Sequence, residues 1–104
     1  MVSLNIDTRD NQKVVARLTK DKEMFEAVST AENRHPESIL KLIEQVCEKA
    51  SVKLDSIDEI NVEEGPGSYT GLKVGASVAN ALGFALQKKV NGKKLGEIIE
   101  PKYE

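Results

Sequence analysis

The apolar positions of this chain follow two different periods. Over residues 2–6, Val2, Leu4 and Ile6 alternate with Ser3 and Asn5, the period of two expected of a half-buried strand. Residues 7–12 are polar throughout, and Asp10-Asn11 marks a turn. Val14, Val15, Ala16 and Leu18 predict a second strand, Lys20-Asp21 a second turn, and residues 24–29 a third strand. Short strands joined by tight turns form an antiparallel meander.

From Pro36 the period becomes helical. Ile39, Leu40, Ile43, Val46, Cys47 and Ala50 recur on one face, and Glu37, Lys41, Glu44 and Glu48 take the other. Proline suits the first helical turn, where its missing N–H would have no partner anyway. Ile57, Ile60 and Val62 predict a fourth strand over residues 57–62, and a second helix runs from about residue 71 to 87. Residues 90–99, which contain Asn91-Gly92, predict a fifth strand or an irregular return to the sheet. The order is that of a ribonuclease-H-like unit, the unit that also forms each lobe of the actin-like ATPases. The predicted class is therefore α/β, with three antiparallel strands followed by helix-strand-helix-strand in a mixed sheet. Fold alone decides no function.

The second helix has an unusual surface. From Val74 to Leu86 it carries no charge; Val74, Val78, Leu82 and Leu86 recur at every fourth residue, and so do Gly71, Gly75, Ala79 and Gly83. Each glycine inside a helix costs roughly 1 kcal/mol relative to alanine. A ridge of small residues returns that cost only where another backbone comes close. Two coverings are open: the chain's own elements, or an outside partner, since exposed apolar patches mark interfaces.

Composition narrows the classes. The 104 residues suffice for a single domain, with 39% apolar and 31% charged residues, a globular balance. A formal net charge of −2 supplies no basic field to hold nucleic acid unaided. Cys47 is the sole cysteine, so no intramolecular disulfide can form, and its helical apolar setting predicts a small buried thiol. The first residues lack the basic and apolar blocks of a signal peptide. No segment is expected to span a membrane: residues 72–86 are too few and contain Lys73, Ser77 and Asn80.

The stretch E-G-P-G-S-Y-T-G, residues 64–71, is the chain's strongest local signal. It matches neither phosphate motif. A Walker loop needs lysine directly after its last glycine, and here Leu72 intervenes; a dinucleotide fingerprint would need its third glycine one residue earlier than Gly71. Backbone N–H groups at a helix start still favour anions. Asp7, Thr8, Gly65, Gly67 and Ser68 are the candidate anion or nucleotide residues, with Ser68 or Thr70 also suited to capping the helix. His35 is the lone histidine, so no metal-ligating cluster is expected. No serine, cysteine or lysine has an evident base partner, and no catalytic residue is assigned.

Residues 65–75, G-P-G-S-Y-T-G-L-K-V-G, resemble the signature G-P-G-S-[FY]-T-G-[LV]-[RK]-x-G of the TsaB family, also called YeaZ. Upstream segments agree. Asn5-Ile6-Asp7-Thr8 is similar to the family's A-I-D-T-S, His35-Pro36-Glu37-Ser38-Ile39-Leu40 to its H-S-E-x-L-L, and residues 54–62 to its L-x-D-I-D-x-I-x-V. The resemblance implies a non-catalytic paralogue of TsaD, the enzyme that places a threonylcarbamoyl group on the adenosine beside the tRNA anticodon. It implies a cytoplasmic scaffold or activator that binds a TsaD-like enzyme through its two helices, meets a TsaE-like ATPase, self-associates in their absence, and reaches tRNA only through the complex. The partner-binding residues would be Ile39, Ile43, Tyr69, Gly71, Leu72, Gly75, Ala76, Ala79 and Gly83. No cofactor is expected in the chain itself, with ATP or ADP at a partner interface.

The sequence departs from the family in places. The family is bilobed and about twice as long, so residues 1–104 are expected to form one lobe, with the second absent. Residues 99–103, I-E-P-K-Y, resemble the P-x-Y near the family's C-terminus, which implies that residues 90–104 are a return segment in a compact natural version. Arg9 follows Asp7-Thr8 where the family has serine. The alternative reading is a self-associating nucleotide-binding or regulatory single-lobe protein.

Overall fold

A computed structural model describes residues 1–30 and 35–93. Its strands are β1 (Val2–Asp7), β2 (Lys13–Lys20), β3 (Glu23–Thr30) and β4 (Glu59–Val62), and its helices α1 (Pro36–Lys49) and α2 (Tyr69–Leu86). The sheet order is β3-β2-β1-β4. β1 and β2 pair antiparallel, as do β2 and β3, while β4 lies parallel to β1 with Leu4 opposite Ile60 and Ile6 opposite Val62. This is the predicted α/β class, a ribonuclease-H-like lobe of the actin-like ATPase kind.

The period of two decides which face is buried. Leu4, Ile6, Val14, Ala16, Leu18, Ala27, Ile60 and Val62 share one face and form the core with Ile39, Leu42, Ile43, Val46 and Cys47 of α1. Ser3, Asn5, Asp7, Arg17, Glu59 and Glu63 fall on the opposite face, where Ser3 donates to Glu59 at 2.7 Å and Asn5 to Glu63 at 3.1 Å. Asp21, at φ 56°, makes the tight turn between β2 and β3. Pro36 opens α1, Glu37 lies in its first turn and Lys49 in its last, the arrangement the helix dipole favours. Cys47 is a free buried thiol; burial pushes its pKa up, with the nearby Glu44 adding to the effect. No described helix is long and apolar enough to cross a membrane.

The predicted boundaries shift in three places. β4 starts at Glu59, and a 3-10 turn over Leu54–Ser56 precedes it. α2 starts at Tyr69 rather than residue 71. Of the predicted fifth strand, Val90 forms an isolated parallel bridge with Ile60, and residues 94–99 lie outside the described residues. Asn91 (φ 52°) extends that pairing through its side chain. Its Oδ1 accepts from the Val62 N–H at 2.7 Å and its Nδ2 donates to the Val62 carbonyl at 3.1 Å.

The small ridge of α2 faces inward. Gly71, Gly75, Ala79 and Gly83 are all buried. A Cβ on Gly75 would run into the Oγ1 of Thr8 just past the end of β1, and one on Gly83 would lie 2.5 Å from Val90 Cγ2. Of the two coverings the sequence left open, the described residues supply the chain's own: the ridge faces its sheet. The close backbone approach that offsets the glycine cost is intramolecular.

Gly75→Ala should destabilise the fold by roughly 1–3 kcal/mol through overpacking, and Gly75→Leu should abolish cooperative melting. Thr8→Ala should recover much of the Gly75→Ala loss, because it removes the clashing atoms. Thermal melts of the four-member cycle measure the coupling. Additive losses would show that these two side chains do not share the contact.

Candidate functional site

Because β1 and β4 are parallel, their C-terminal ends emerge on the same edge of the sheet. The glycine turn follows β4 and is pinned to the end of β1. The Ser68 N–H donates to the Arg9 carbonyl at 2.9 Å. A Cβ on Gly67 would lie 2.8 Å from that carbonyl oxygen, so glycine is needed for the close approach. Gly65 has φ 118°, a region that favours glycine, and the Gly65–Pro66 peptide is cis. Ser68 is the N-cap of α2, its hydroxyl accepting from the Gly71 N–H at 3.3 Å.

The candidate anion residues are thus close in the backbone but divergent in their side chains. Asp7 points to the open face of the sheet. Both its oxygens are held by Arg9, with Nε to Oδ1 at 3.1 Å and Nη2 to Oδ2 at 3.0 Å, and the Arg9 N–H also reaches Oδ1 at 3.1 Å. Burial pushes the Asp7 carboxyl up. The hydrogen bonds from the Arg9 side chain and backbone, with the charges of Arg9 and Arg17, outweigh it and hold the carboxyl below its ordinary value. Thr8 points the other way. It is fully buried, and its Oγ1 has no hydrogen-bond partner among the described residues. Ser68 spends its hydroxyl on the helix cap. The turn therefore works in this structure as a strand-to-helix connection.

Beside Asp7 lies an open cleft of about 390 Å³ lined by Arg9, Asp10, Lys13, Val15, Arg17 and Pro66. Sequence reasoning assigned no role to Arg9, Lys13 or Arg17. The only signal was arginine standing where the family has serine, next to an aspartate that two-residue spacing puts within its reach.

Most of the predicted partner-binding residues are interior. Ile39, Ile43, Leu72, Ala76 and Ala79 are buried, as are Gly71, Gly75 and Gly83. Tyr69 alone of that set is exposed, at 60%. At 100° per residue the buried positions of α2 fill one arc. Tyr69, Lys73, Ser77, Ala81 and Phe84 occupy the other, and Phe84 is 74% exposed. Across from them on α1 stands Leu40, 38% exposed. Pro36, Leu40, Ser77, Val78 and Ala81 line a shallow groove of about 270 Å³ between the helices. The apolar surface that the two helices present is this groove and its rim.

Comparisons with known proteins agree on the family. Residues 28–92 match the family model described as TsaD, tRNA N6-adenosine threonylcarbamoyltransferase. A tRNA N6-adenosine threonylcarbamoyltransferase of Geobacter metallireducens is 37% identical over 81 residues, covering 76% of this chain and 24% of that protein. The tRNA threonylcarbamoyladenosine biosynthesis protein TsaB of Haemophilus influenzae is 35% identical over 54 residues, 52% of this chain and 23% of that one. Among solved structures, YeaZ from Pseudomonas aeruginosa superposes with a TM-score of 0.77 at 26% identity, covering 86% of this chain and 41% of that one. The chain spans at most about a quarter of these curated relatives, as the 24% and 23% coverages show.

Asp7→Asn should cost about 1 kcal/mol at neutral pH, since the pair is hydrogen-bonded yet its arginine is half exposed and screened. The folded carboxyl is lowered, so its stabilisation is complete above the ordinary value near 3.8 and is lost as pH falls through the folded value below it. Melting curves of the wild type and Asp7→Asn should converge in acid. A gap unchanged from pH 7 to strong acid would exclude the Asp7–Arg9 pair as its source.

Proposed function

The chain belongs to the TsaD/TsaB (YeaZ) family, and on that premise we propose that it serves tRNA threonylcarbamoyl modification as a non-catalytic lobe that holds a TsaD-like enzyme. The observation that carries this reading is the apolar face of α1 and α2, with Leu40, Ala81 and Phe84 in water around an open groove. Large apolar side chains exposed together on packed helices favour a protein partner over free solvent. The likeness to YeaZ supports a scaffold role, because the family resemblance implies that the two helices meet the enzyme. The binding surface is proposed on the outer arc of α2 rather than on its glycine ridge.

The glycine turn supports the same reading. Asp7 is engaged by Arg9 and Ser68 caps α2. ATP or ADP, where it takes part, then belongs to a partner interface, and tRNA is reached through the complex. The setting is the cytoplasm. A second reading has its own support: relatives such as that of Geobacter metallireducens are named as the transferase itself, which favours a lobe that works within an enzyme.

The test is co-purification with the TsaD-like protein of the same cell, with threonylcarbamoyl transfer to tRNA assayed with and without this chain. The expected result is a stable complex, faster transfer when the chain is added, and no transfer by the chain alone. Phe84→Glu and Leu40→Glu should each weaken the complex at least tenfold, about 1.4 kcal/mol or more, with an unchanged melt. Transfer by the isolated chain would establish the enzymatic reading instead. A complex indifferent to both substitutions would remove the helix face from the interface.

A further inference from the structure

Asn91 is the one asparagine of six that precedes a glycine. A glycine amide has no side chain beside it, so its nitrogen is free to attack the carboxamide of the residue before it. Gly92 is exposed, and a Cβ placed there would meet nothing within 4 Å. Asn91 (φ 52°) and Gly92 (φ 72°) are the central residues of a turn that the Lys93 N–H closes on the Val90 carbonyl at 3.0 Å. Two positive φ values in succession are the pattern of a type I′ turn.

The fold uses the same carboxamide to cap the outer edge of β4. Its Oδ1 accepts from the Val62 N–H at 2.7 Å, and its Nδ2 donates to the Val62 carbonyl at 3.1 Å and to Glu64 Oε2 at 2.9 Å. These partners fix which end of the amide faces which group: only the oxygen can meet an N–H, and only the nitrogen can meet two acceptors. The backbone continues the pairing. The Asn91 N–H donates to the Ile60 carbonyl at 2.8 Å, and the Ile60 N–H to the Lys89 carbonyl at 3.3 Å. Val90, between them, packs where a Cβ on Gly83 would fall. The cap therefore couples the edge of β4 to the end of α2.

We propose that Asn91 is a deamidation site that the β4 edge holds shut, and that its conversion leaves the edge open. A base takes the proton of the Gly92 N–H, and the nitrogen bonds to Asn91 Cγ. The Cγ–Nδ2 bond breaks, and Nδ2 takes up a proton and leaves as ammonia. Water then opens the five-membered imide at either carbonyl, which gives aspartate or isoaspartate at position 91. Nothing is oxidised or reduced. The bonds that Nδ2 makes to Val62 and Glu64 must break before it leaves, so local opening of the edge precedes the reaction. The product carboxylate keeps one oxygen for the Val62 N–H. It sets the other against the Val62 carbonyl and the Glu64 carboxylate, with no donor between them. Isoaspartate also adds a carbon to the main chain inside the turn, which disrupts its closure. The switch is independent of what the face of α1 and α2 binds.

The test follows the whole chain in mildly alkaline buffer, folded and in urea. Intact mass and peptide fragmentation give the site and rate, and an isoaspartyl methyltransferase reads the isoaspartate. In urea, position 91 should be the first asparagine to convert, at least about tenfold faster than in the folded chain. Glu64→Ala removes one acceptor of Nδ2. It should speed the folded reaction about three- to tenfold and leave the rate in urea unchanged. Converted chain, separated from fresh by charge, should exchange the amides of Ile60 and Val62 at least about tenfold faster. Asn91→Asp should show the same loss of protection, and the converted wild type supplies that measurement should the variant fold poorly. Equal rates in the folded chain and in urea overturn the gate, as does a folded rate that Glu64→Ala leaves unchanged. Another asparagine converting first in urea overturns the site. Converted chain in which Ile60 and Val62 remain as protected as before overturns the opening of the edge.

Discussion

The contact between Gly75 and Thr8 sets how closely α2 lies on the sheet. With no side chain at Gly75, the helix settles against the end of β1 until Thr8 stops it. Ala79 and Gly83 continue the same line to Val90, so the helix stays close along its length. That approach brings the start of α2 to the end of β1, where Ser68 bonds to Arg9. It also lets the chain after α2 return to β4, where Val90 and Asn91 complete the edge. A side chain at Gly75 would lift the helix and loosen each of these contacts together.

The same approach orients the surface. Turning the small ridge inward forces Lys73, Ser77, Ala81 and Phe84 outward, since an α-helix has no other place for them. The apolar groove beside Leu40 is therefore a consequence of the glycines, although none of the glycines lines it. Ridge and groove are two readings of one helix: small residues packed against the sheet, and an outer face left with a single charge at Lys73.

A run of charge pairs lies on the opposite face of the sheet. Asp7, Arg9, Arg17, Glu26 and Glu63 form a chain of pairs there, from 2.7 Å between Arg17 and Glu26 to 4.0 Å between Arg17 and Asp7. Arg9 joins Asp7 to Glu63. These groups are mostly half exposed, so the pairs contribute modestly to stability and chiefly fix which carboxylates are engaged. Asp7 is the clearest case: an aspartate after a strand, beside a glycine turn, whose acceptor oxygens are taken by its own neighbour two residues along.

The sequence by itself determined the elements and the face each strand buries, because a period of two and a period of 3.6 are local consequences of backbone geometry. Leu4, Ile6, Ala16 and Leu18 were legible as core in this way, as was the helix opening at Pro36. It also pointed to the family, since the run from Gly65 to Gly75 is specific enough to be read without a fold. What it left open was what the small residues of α2 touch. A ridge of Gly71, Gly75, Ala79 and Gly83 says that something comes close, but its partner lies far off in sequence, at Thr8 and Val90. Only the tertiary structure decided that the partner is the chain's own sheet. It likewise decided that Asp7 and Thr8, adjacent in sequence, point to opposite faces of the sheet, and that Arg9 bonds the carboxylate. Those outcomes rest on contacts between distant segments, which no local pattern encodes.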